Sequence, residues 1–303
     1  MKRIISFFMA MMFVLSVGAV SVSSADTEET IKNVEAVSVL TALNIMSYYE
    51  DGTFRPDETV TRAEMAAIIC RMHDWEEDAR SKIGLTVYND VPADHWASGY
   101  INLMQEQGAI TGYGDFNFGP EDNVTYEQAV KMIISILGAD ILASYEGGYP
   151  DGYLKLALKQ GILENTQCNV GDVINRETVA TLVFNALEVP LAVWEEPPFG
   201  FHEIQDYRTL NRFTSDMTIL SRYWEMQRWS GILVKDRKNF VLKDAECFEC
   251  QDGGIFDKVK EPLGEVDFSR IGNINDFVGQ KVDVYIGEDE DSGKNIAYIV
   301  VKK

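Results

Sequence analysis

Three times along the chain, a residue able to cap a helix is followed by apolar side chains at helical spacing. Thr61 precedes Met65, Ile68, Ile69 and Met72. Thr125 precedes Val130, Ile133, Ile134 and Leu137, and Asn175 precedes Val179, Leu182, Val183 and Leu187. This recurrence constrains the fold more than any other feature, because helices this short cannot bury such stripes alone and must pack together. Thr61 with Glu64, and Thr125 with Gln128, match the capping box, in which hydroxyl and N3 side chain exchange hydrogen bonds with each other's backbone. Asn175 can also cap, but Thr178 is a poor N3 partner. The three openings lie 64 and 50 residues apart, which predicts an insertion, placed here at the acidic stretch 74–78.

Each opening is preceded by a helix and a loop rich in Gly, Asp and Pro. In the first unit a helix is expected over 34–46, followed by Tyr48-Tyr49-Glu50-Asp51-Gly52-Thr53-Phe54-Arg55-Pro56. The second runs from Asn89-Asp90-Val91 and His95-Trp96-Ala97 through Gly112-Tyr113 to Phe118-Gly119-Pro120. The third runs from Gly152-Tyr153 through Gly161-Ile162-Leu163 with a shortened loop. The expected product is a helical bundle of three units.

With 46% hydrophobic and 25% charged residues among 303, the chain has globular composition and room for two or three folding units. Its charge is the outlying property: 27 Lys+Arg against 48 Asp+Glu give −21. Residues 26–199 carry −19 and residues 200–303 carry −4. Such a field excludes nucleic acid or an anionic membrane surface as partners attracted by global charge, so any anionic partner must be held locally.

Residues 1–25 have the form of an export signal: basic Lys2 and Arg3, an apolar stretch over 4–20, and small Ser23, Ser24 and Ala25. No other stretch is apolar enough to span a bilayer, so the expected mature protein is exported without membrane insertion. Of four cysteines, Cys70 lies in an apolar run, Cys168 is isolated, and Cys247 and Cys250 form a single CxxC. One CxxC lacks the second ligand pair of a structural zinc site, so a local disulfide or idle thiols are expected and no metal.

The blocks Asp51-Gly52-Thr53-Phe54-Arg55-Pro56, Thr61-Arg62-Ala63-Glu64, Asp90-Val91, His95-Trp96-Ala97 and Gly112-Tyr113 resemble the signature of S-layer homology (SLH) domains. The resemblance covers about residues 31–190. It implies a pseudo-threefold helical domain that anchors exported proteins to a bacterial wall by binding secondary cell-wall polysaccharide, in many members through a pyruvylated sugar. It also implies grooves between neighbouring repeats, with the Arg of each Thr-Arg-Ala-Glu block as a ligand contact. Repeat one lacks the Asp-Val and His-Trp-Ala blocks, repeat two has Tyr126 at the Arg position, and repeat three has Arg176 but no Asp-Gly-Thr-Phe loop.

The residue chemistry is compatible with that implication. Capping accounts for Thr61 and Glu64 but not for Arg62, which stands at the wrong end of a helix for the macrodipole. A guanidinium fork beside free helix amides could hold a carboxylate. The candidate polysaccharide-binding residues are therefore Arg62, Trp96, Tyr113, Arg176 and Asp51, the aromatics as stacking surfaces and Asp51 alternatively as a turn device. One groove is expected at Arg62, a second at Arg176, and a degenerate site at Tyr126.

Past Pro190 the composition changes. Residues 193–202, including Glu195-Glu196-Pro197-Pro198, read as a semi-rigid linker. A brief helix over 216–224 capped by Asp216 is expected next, then about five short strands that suggest a small β-barrel or sandwich. Val282, Val284 and Ile286 alternate with Lys281, Asp283 and Tyr285, which predicts a strand with one buried face. Glu288-Asp289-Glu290-Asp291 suits a solvated hairpin tip better than a calcium loop. Tyr223, Trp224 and Trp229 read as core.

His73, His95 and His202 are scattered, and no HExxH, GxSxG, P-loop or dinucleotide fingerprint is present. The expected organisation is an α + β chain of two domains: signal peptide 1–25, repeats at 26–86, 87–147 and 148–192, linker 193–202, and a β-rich domain at 203–303. The expected function is non-enzymatic wall anchoring, without cofactor. Secondary cell-wall polysaccharide is the first expected partner and other surface-layer proteins the second. The alternatives are an assembly protein whose bundle mediates protein contacts, and a glycan-binding accessory of a wall hydrolase.

Overall fold

A computed structural model describes residues 30–194, 211–237, 239–251, 255–259, 263, 265–289 and 292–303. The expected leader 1–25, the linker residues 195–202, His202, the Cys250 side chain and residues 290–291 lie outside them. The described helices begin with α1 (Val34–Ala42), α2 (Arg62–Met72), α3 (Glu76–Ser81) and α4 (Ser98–Glu106). They continue with α5 (Tyr126–Ile136), α6 (Asp140–Tyr145), α7 (Asp151–Lys159) and α8 (Arg176–Ala186). None is long and apolar enough to cross a membrane.

The three helices opened by the capping residues, α2, α5 and α8, have equal length, and every residue of their expected apolar stripes is buried. Backbone hydrogen bonds close a ring between the residues just ahead of the caps. Val60 N–H donates to Ile174 O at 3.4 Å, Ile174 N–H to Val124 O at 3.2 Å, and Val124 N–H to Val60 O at 2.8 Å. Each segment thereby satisfies its neighbour's backbone, and the three helices start from one point of the fold.

The caps differ. Thr61 Oγ1 accepts from Glu64 N–H at 3.2 Å while Thr61 N–H donates to Glu64 Oε2 at 2.8 Å, a complete box. At Thr125 only one half forms: its N–H donates to Gln128 Oε1 at 3.3 Å, and its Oγ1 is buried with no hydrogen-bond partner among the described residues. Asn175 Oδ1 accepts from Thr178 N–H at 2.9 Å and from Thr178 Oγ1 at 2.7 Å.

The stretch 74–78 is not an insertion. It leads into α3, and α6 stands in the same place after α5. The two correspond closely: Tyr100 on α4 hydrogen-bonds Glu76, and Tyr153 on α7 donates to Asp140 Oδ1 at 2.7 Å. Gly99 and Gly152 let α4 and α7 approach α3 and α6, since a Cβ would sit 2.3 Å from Ala79 O in one and 2.0 Å from Ala143 O in the other. The extra length lies mainly between α3 and α4, at 82–97, which is longer than 146–150 between α6 and α7.

Strand β1 (Pro190–Trp194) pairs antiparallel with β2 (Asn211–Thr218), so Val193 and Trp194 belong to a strand and not to the expected linker. The expected helix over 216–224 is shorter, because Asp216 is inside β2. Helix α9 (Ile219–Tyr223) is capped instead by Thr218, whose Oγ1 accepts from Ser221 N–H at 3.1 Å. The remaining strands are β3 (Met226–Asp236), β4 (Asn239–Gln251), β5 (Ile255–Val259), β6 (Val266–Asp267), β7 (Lys281–Glu288) and β8 (Asn295–Lys302). They form a curled mixed sheet in the order β5-β4-β3-β7-β8-β6, parallel only between β6 and β8.

This sheet packs on the helices. One face carries Trp229, Leu233, Leu242, Val282, Val284 and Ile286 in a core of its own, whereas Met226, Tyr285, Ile299 and Val301 join the core of the helical region. Strand β7 is consequently buried on both faces from Val282 to Ile286, in place of the expected alternation. Trp224 Nε1 donates to Met72 O at 2.9 Å, and His73 lies between the rings of Trp75 and Tyr223 at 4.6 and 4.5 Å. Trp229 is core as expected, while Tyr223 and Trp224 are half-buried at this contact.

Candidate functional site

The first helical position of α2, α5 and α8 is occupied by Arg62, Tyr126 and Arg176, each inserted into a loop of another segment. Arg62 is 3% exposed. Its Nε donates to Phe118 O at 2.9 Å and its Nη2 to Thr111 O at 2.7 Å, with the guanidinium 4.4 Å from the Tyr113 ring centre and 4.5 Å from that of Phe118. Arg176 is 8% exposed and repeats the arrangement. Its Nε donates to Phe54 O at 2.8 Å, its Nη2 to Ser47 O at 2.9 Å, and the rings of Tyr49 and Phe54 both lie at 4.8 Å. Tyr126 has no such fork: its hydroxyl reaches Thr166 Oγ1 only at 3.5 Å.

Two sequence expectations change here. The arginines are buried clamps that order a loop through its carbonyls, and the cation–π contacts hold the ring beside each of them. The helix amides beside them are not free. Arg62 and Ala63 N–H donate to Asp122 O and Pro120 O at 2.9 and 3.0 Å, Tyr126 N–H to Asp172 O at 2.9 Å, and Arg176 and Glu177 N–H to Glu58 O and Pro56 O at 2.8 and 3.0 Å. The loop turns back onto each helix end and takes the donors an anion would use. Among the described residues, no hydrogen-bond partner reaches Nη1 of Arg62 or Arg176, which leaves one edge of each fork available to a ligand.

The structure divides the expected residues between two places. Trp96, 55% exposed, lies with Arg176 and not with Arg62. The cleft between them measures about 190 Å³ and is lined also by Tyr49, Glu64 and Arg71. Arg71 is held by Glu76, with Nε 3.3 Å from Oε2, and its Nη2 donates to Tyr100 OH at 3.1 Å. Trp96 is braced by His95 at 6.0 Å and Tyr100 at 6.3 Å between ring centres, and His95 Nε2 lies 3.2 Å from Glu121.

Tyr113 goes with Arg62, where Tyr149 takes the role Trp96 has in the other cleft. Both precede their helix, α4 or α7, by two residues, and both are 55% exposed. Lys131 completes this second place: its Nζ donates to Ala109 O at 3.2 Å, and burial beside Arg62 holds it below the usual lysine range. Arg71, Lys131 and Tyr149 were not anticipated. For Tyr149 the available signal was its distance from α7, which matches that of Trp96 from α4.

Asp51 stands outside both clefts. Its Oδ1 accepts from Thr53 N–H at 2.9 Å and Thr53 Oγ1 at 2.6 Å, and its Oδ2 pairs with Arg55 at 3.0 Å, a loop closure that lowers its carboxyl to about 2. Asp90 instead ties two segments together, reaching from the connection before α4 to the loop after it, where it accepts from Phe118 N–H at 2.8 Å and Gly119 N–H at 2.7 Å. The place around Tyr126 is a wider apolar depression of about 470 Å³, lined by Leu154, Lys155, Leu158, Leu163, Cys168 and Val170. Among the described residues no group of His, Cys, Asp and Glu is arranged to hold a metal.

Comparison with known proteins locates this geometry. The S-layer homology domain matches residues 29–66 and 87–130, the segments that supply α1, α4, the loops after them and the openings of α2 and α5. The chain is 27% identical to the Middle cell wall protein of Brevibacillus brevis, over 88% of this chain and 25% of that protein. It is 28% identical to the Surface layer protein of Brevibacillus choshinensis, over 96% and 26%, and 33% identical to the Cell surface protein of Thermoanaerobacter kivui, over 62% and 24%. The chain thus spans about a quarter of the length of these relatives. The SLH matches and these relatives point to a secreted protein at the bacterial cell wall or S-layer.

Proposed function

We propose that residues 26–192 form three SLH repeats arranged with pseudo-threefold symmetry, which anchor the protein to the wall by holding an acidic secondary cell-wall polysaccharide, pyruvylated at the contacted sugar. The curled sheet is then a non-enzymatic module carried by the anchor. The observation that supports this reading most is the pairing of a buried guanidinium, one edge open, with an exposed aromatic ring: Arg176 with Trp96 across a cleft, and Arg62 with Tyr113, near Tyr149. A carboxylate on a sugar ring would meet the guanidinium edge while the ring stacks on the aromatic face, and the charge-assisted bonds contribute roughly 1.5–3 kcal/mol. The closed backbone ring of Val60, Val124 and Ile174 supports the repeat count.

The test is sedimentation with purified cell walls, intact and after chemical removal of pyruvate. Wild type is expected to sediment with intact walls and to lose most binding on stripped ones, and Trp96→Ala to lose binding while keeping its unfolding midpoint. Equal sedimentation of wild type with both wall preparations sinks the pyruvate assignment. Equal sedimentation of Trp96→Ala and wild type sinks the cleft.

A further inference from the structure

Where the sheet meets the helices, five charged side chains converge, four of them buried or half-buried and Lys303 at the solvent edge. Asp283 of β7 is fully buried. Its Oδ1 takes a short hydrogen bond from Ser230 of β3, and its Oδ2 lies 3.4 Å from Arg228 Nη1 and 3.3 Å from Lys303 Nζ. Arg228, also on β3, reaches across to the helical region, placing Nη2 within 2.5 Å of Glu188 Oε2 just after α8 and Nη1 3.8 Å from Glu35 Oε1 on α1. The Tyr285 hydroxyl is buried in the same place. Three carboxyl groups therefore face two cations, and Arg228 and Lys303 are the only cations among the described residues of this cluster.

We propose that the sheet is seated on the helical region through one shared proton, held between the Glu35 carboxyl on α1 and the Asp283 carboxylate on β7, so that neutral to alkaline conditions loosen this seat and mild acid tightens it. With the proton in place, two negative charges face two positive ones and Glu35 can donate to Asp283. Without it, a third negative charge is confined beside the first two, and attraction to Arg228 and Lys303 only partly offsets that repulsion. Burial, then Asp283, raises the Glu35 carboxyl to about 7, and burial raises Glu188 as well.

The sign follows from proton counting. Between the ordinary carboxylate range and about pH 7 the folded state holds a proton that the unfolded chain has released, so stability falls as pH rises through that window. His73 at the same contact acts in the opposite direction, because burial lowers its imidazole to about 4. The comparison must therefore be made against a variant that changes Glu35 alone. Tyr285, raised above its usual range, stays neutral throughout.

The experiment is urea unfolding of the full chain at pH 5 and pH 8, for wild type and Glu35→Gln, which keeps a hydrogen-bond donor and removes the titration. Wild type is expected to lose roughly fifty-fold in its folding equilibrium constant between the two pH values relative to the variant. Parallel profiles overturn the proposal. In case the variant does not fold, carboxyl-carbon NMR of glutamate-labelled wild type gives an independent reading. The assigned Glu35 carboxyl titrating near neutrality supports the shared proton, and its titrating in the ordinary carboxylate range overturns it.

Discussion

Arg62 and Arg176 perform one structural task at two places, yet the surfaces they border are not equivalent. Each guanidinium clamps two carbonyls of a loop and lies against two aromatic rings. Around Arg176 the loop, α2 and Trp96 enclose a cleft with a second arginine, Arg71. Around Arg62 the second cation is Lys131, anchored on a loop carbonyl, and the exposed ring is the smaller Tyr149. The lesson is that one buried clamp can be kept for folding while the surface in front of it diverges. Tyr126, which fills its loop without a fork, shows that the position tolerates loss of the cation when the loop is rebuilt.

The largest expected effect would separate clamp from contact. Arg176→Met leaves the carbonyls of Phe54 and Ser47 without their donor, and Arg62→Met does the same to Phe118 and Thr111. Each should cost about 3 kcal/mol in urea unfolding, against less than about 1 kcal/mol for Tyr126→Phe. Equal, small losses at all three would break the comparison. Next in size is the difference between clefts: Trp96→Ala should weaken wall sedimentation about ten-fold and Tyr149→Ala less, with unfolding midpoints unchanged because both rings are exposed. The reverse ranking would make the Arg62 cleft the principal one.

A third effect concerns the caps. Thr61→Ala should cost about 1 kcal/mol and Thr125→Ala distinctly less, since only Thr61 makes both halves of its box. The smallest is ionic strength. With −19 on residues 26–199, an anionic polymer bound as proposed would be repelled at long range and held at short range, so wall binding should stay flat or rise slightly from low to physiological salt. A steep loss would show that the clefts depend on long-range attraction.

The sequence carried the helical stripes and their caps plainly, because periodicity and N-cap chemistry are local. It carried the identities of Arg62, Arg176, Trp96 and Tyr113, but not their grouping. Arg176 donates to carbonyls of Ser47 and Phe54, and a backbone acceptor leaves no mark in a residue pattern. The same reason hides the loop carbonyls that occupy the helix amides. The second buried face of β7 was illegible because Asp283, a charged residue in an alternating strand, reads as solvent-facing until Arg228, Lys303 and Ser230 are seen around it. The insertion was misplaced because 74–78 is acidic and looks like a surface loop, although it leads into a helix with a structural counterpart in α6.

The backbone cycle through Val60, Val124 and Ile174 has one more consequence. In an open stack of helical units the end members keep spare donors and acceptors, and the array can lengthen by one more copy. Here each of the three segments gives one bond and receives one, so the valence of the arrangement is spent. A fourth segment would have to break the cycle to enter, and removal of one would strand a donor and an acceptor at the centre. Variation in such an architecture is therefore directed outward, into connections such as 82–97 and into the cleft linings, while the number at the hub stays fixed by hydrogen-bond stoichiometry.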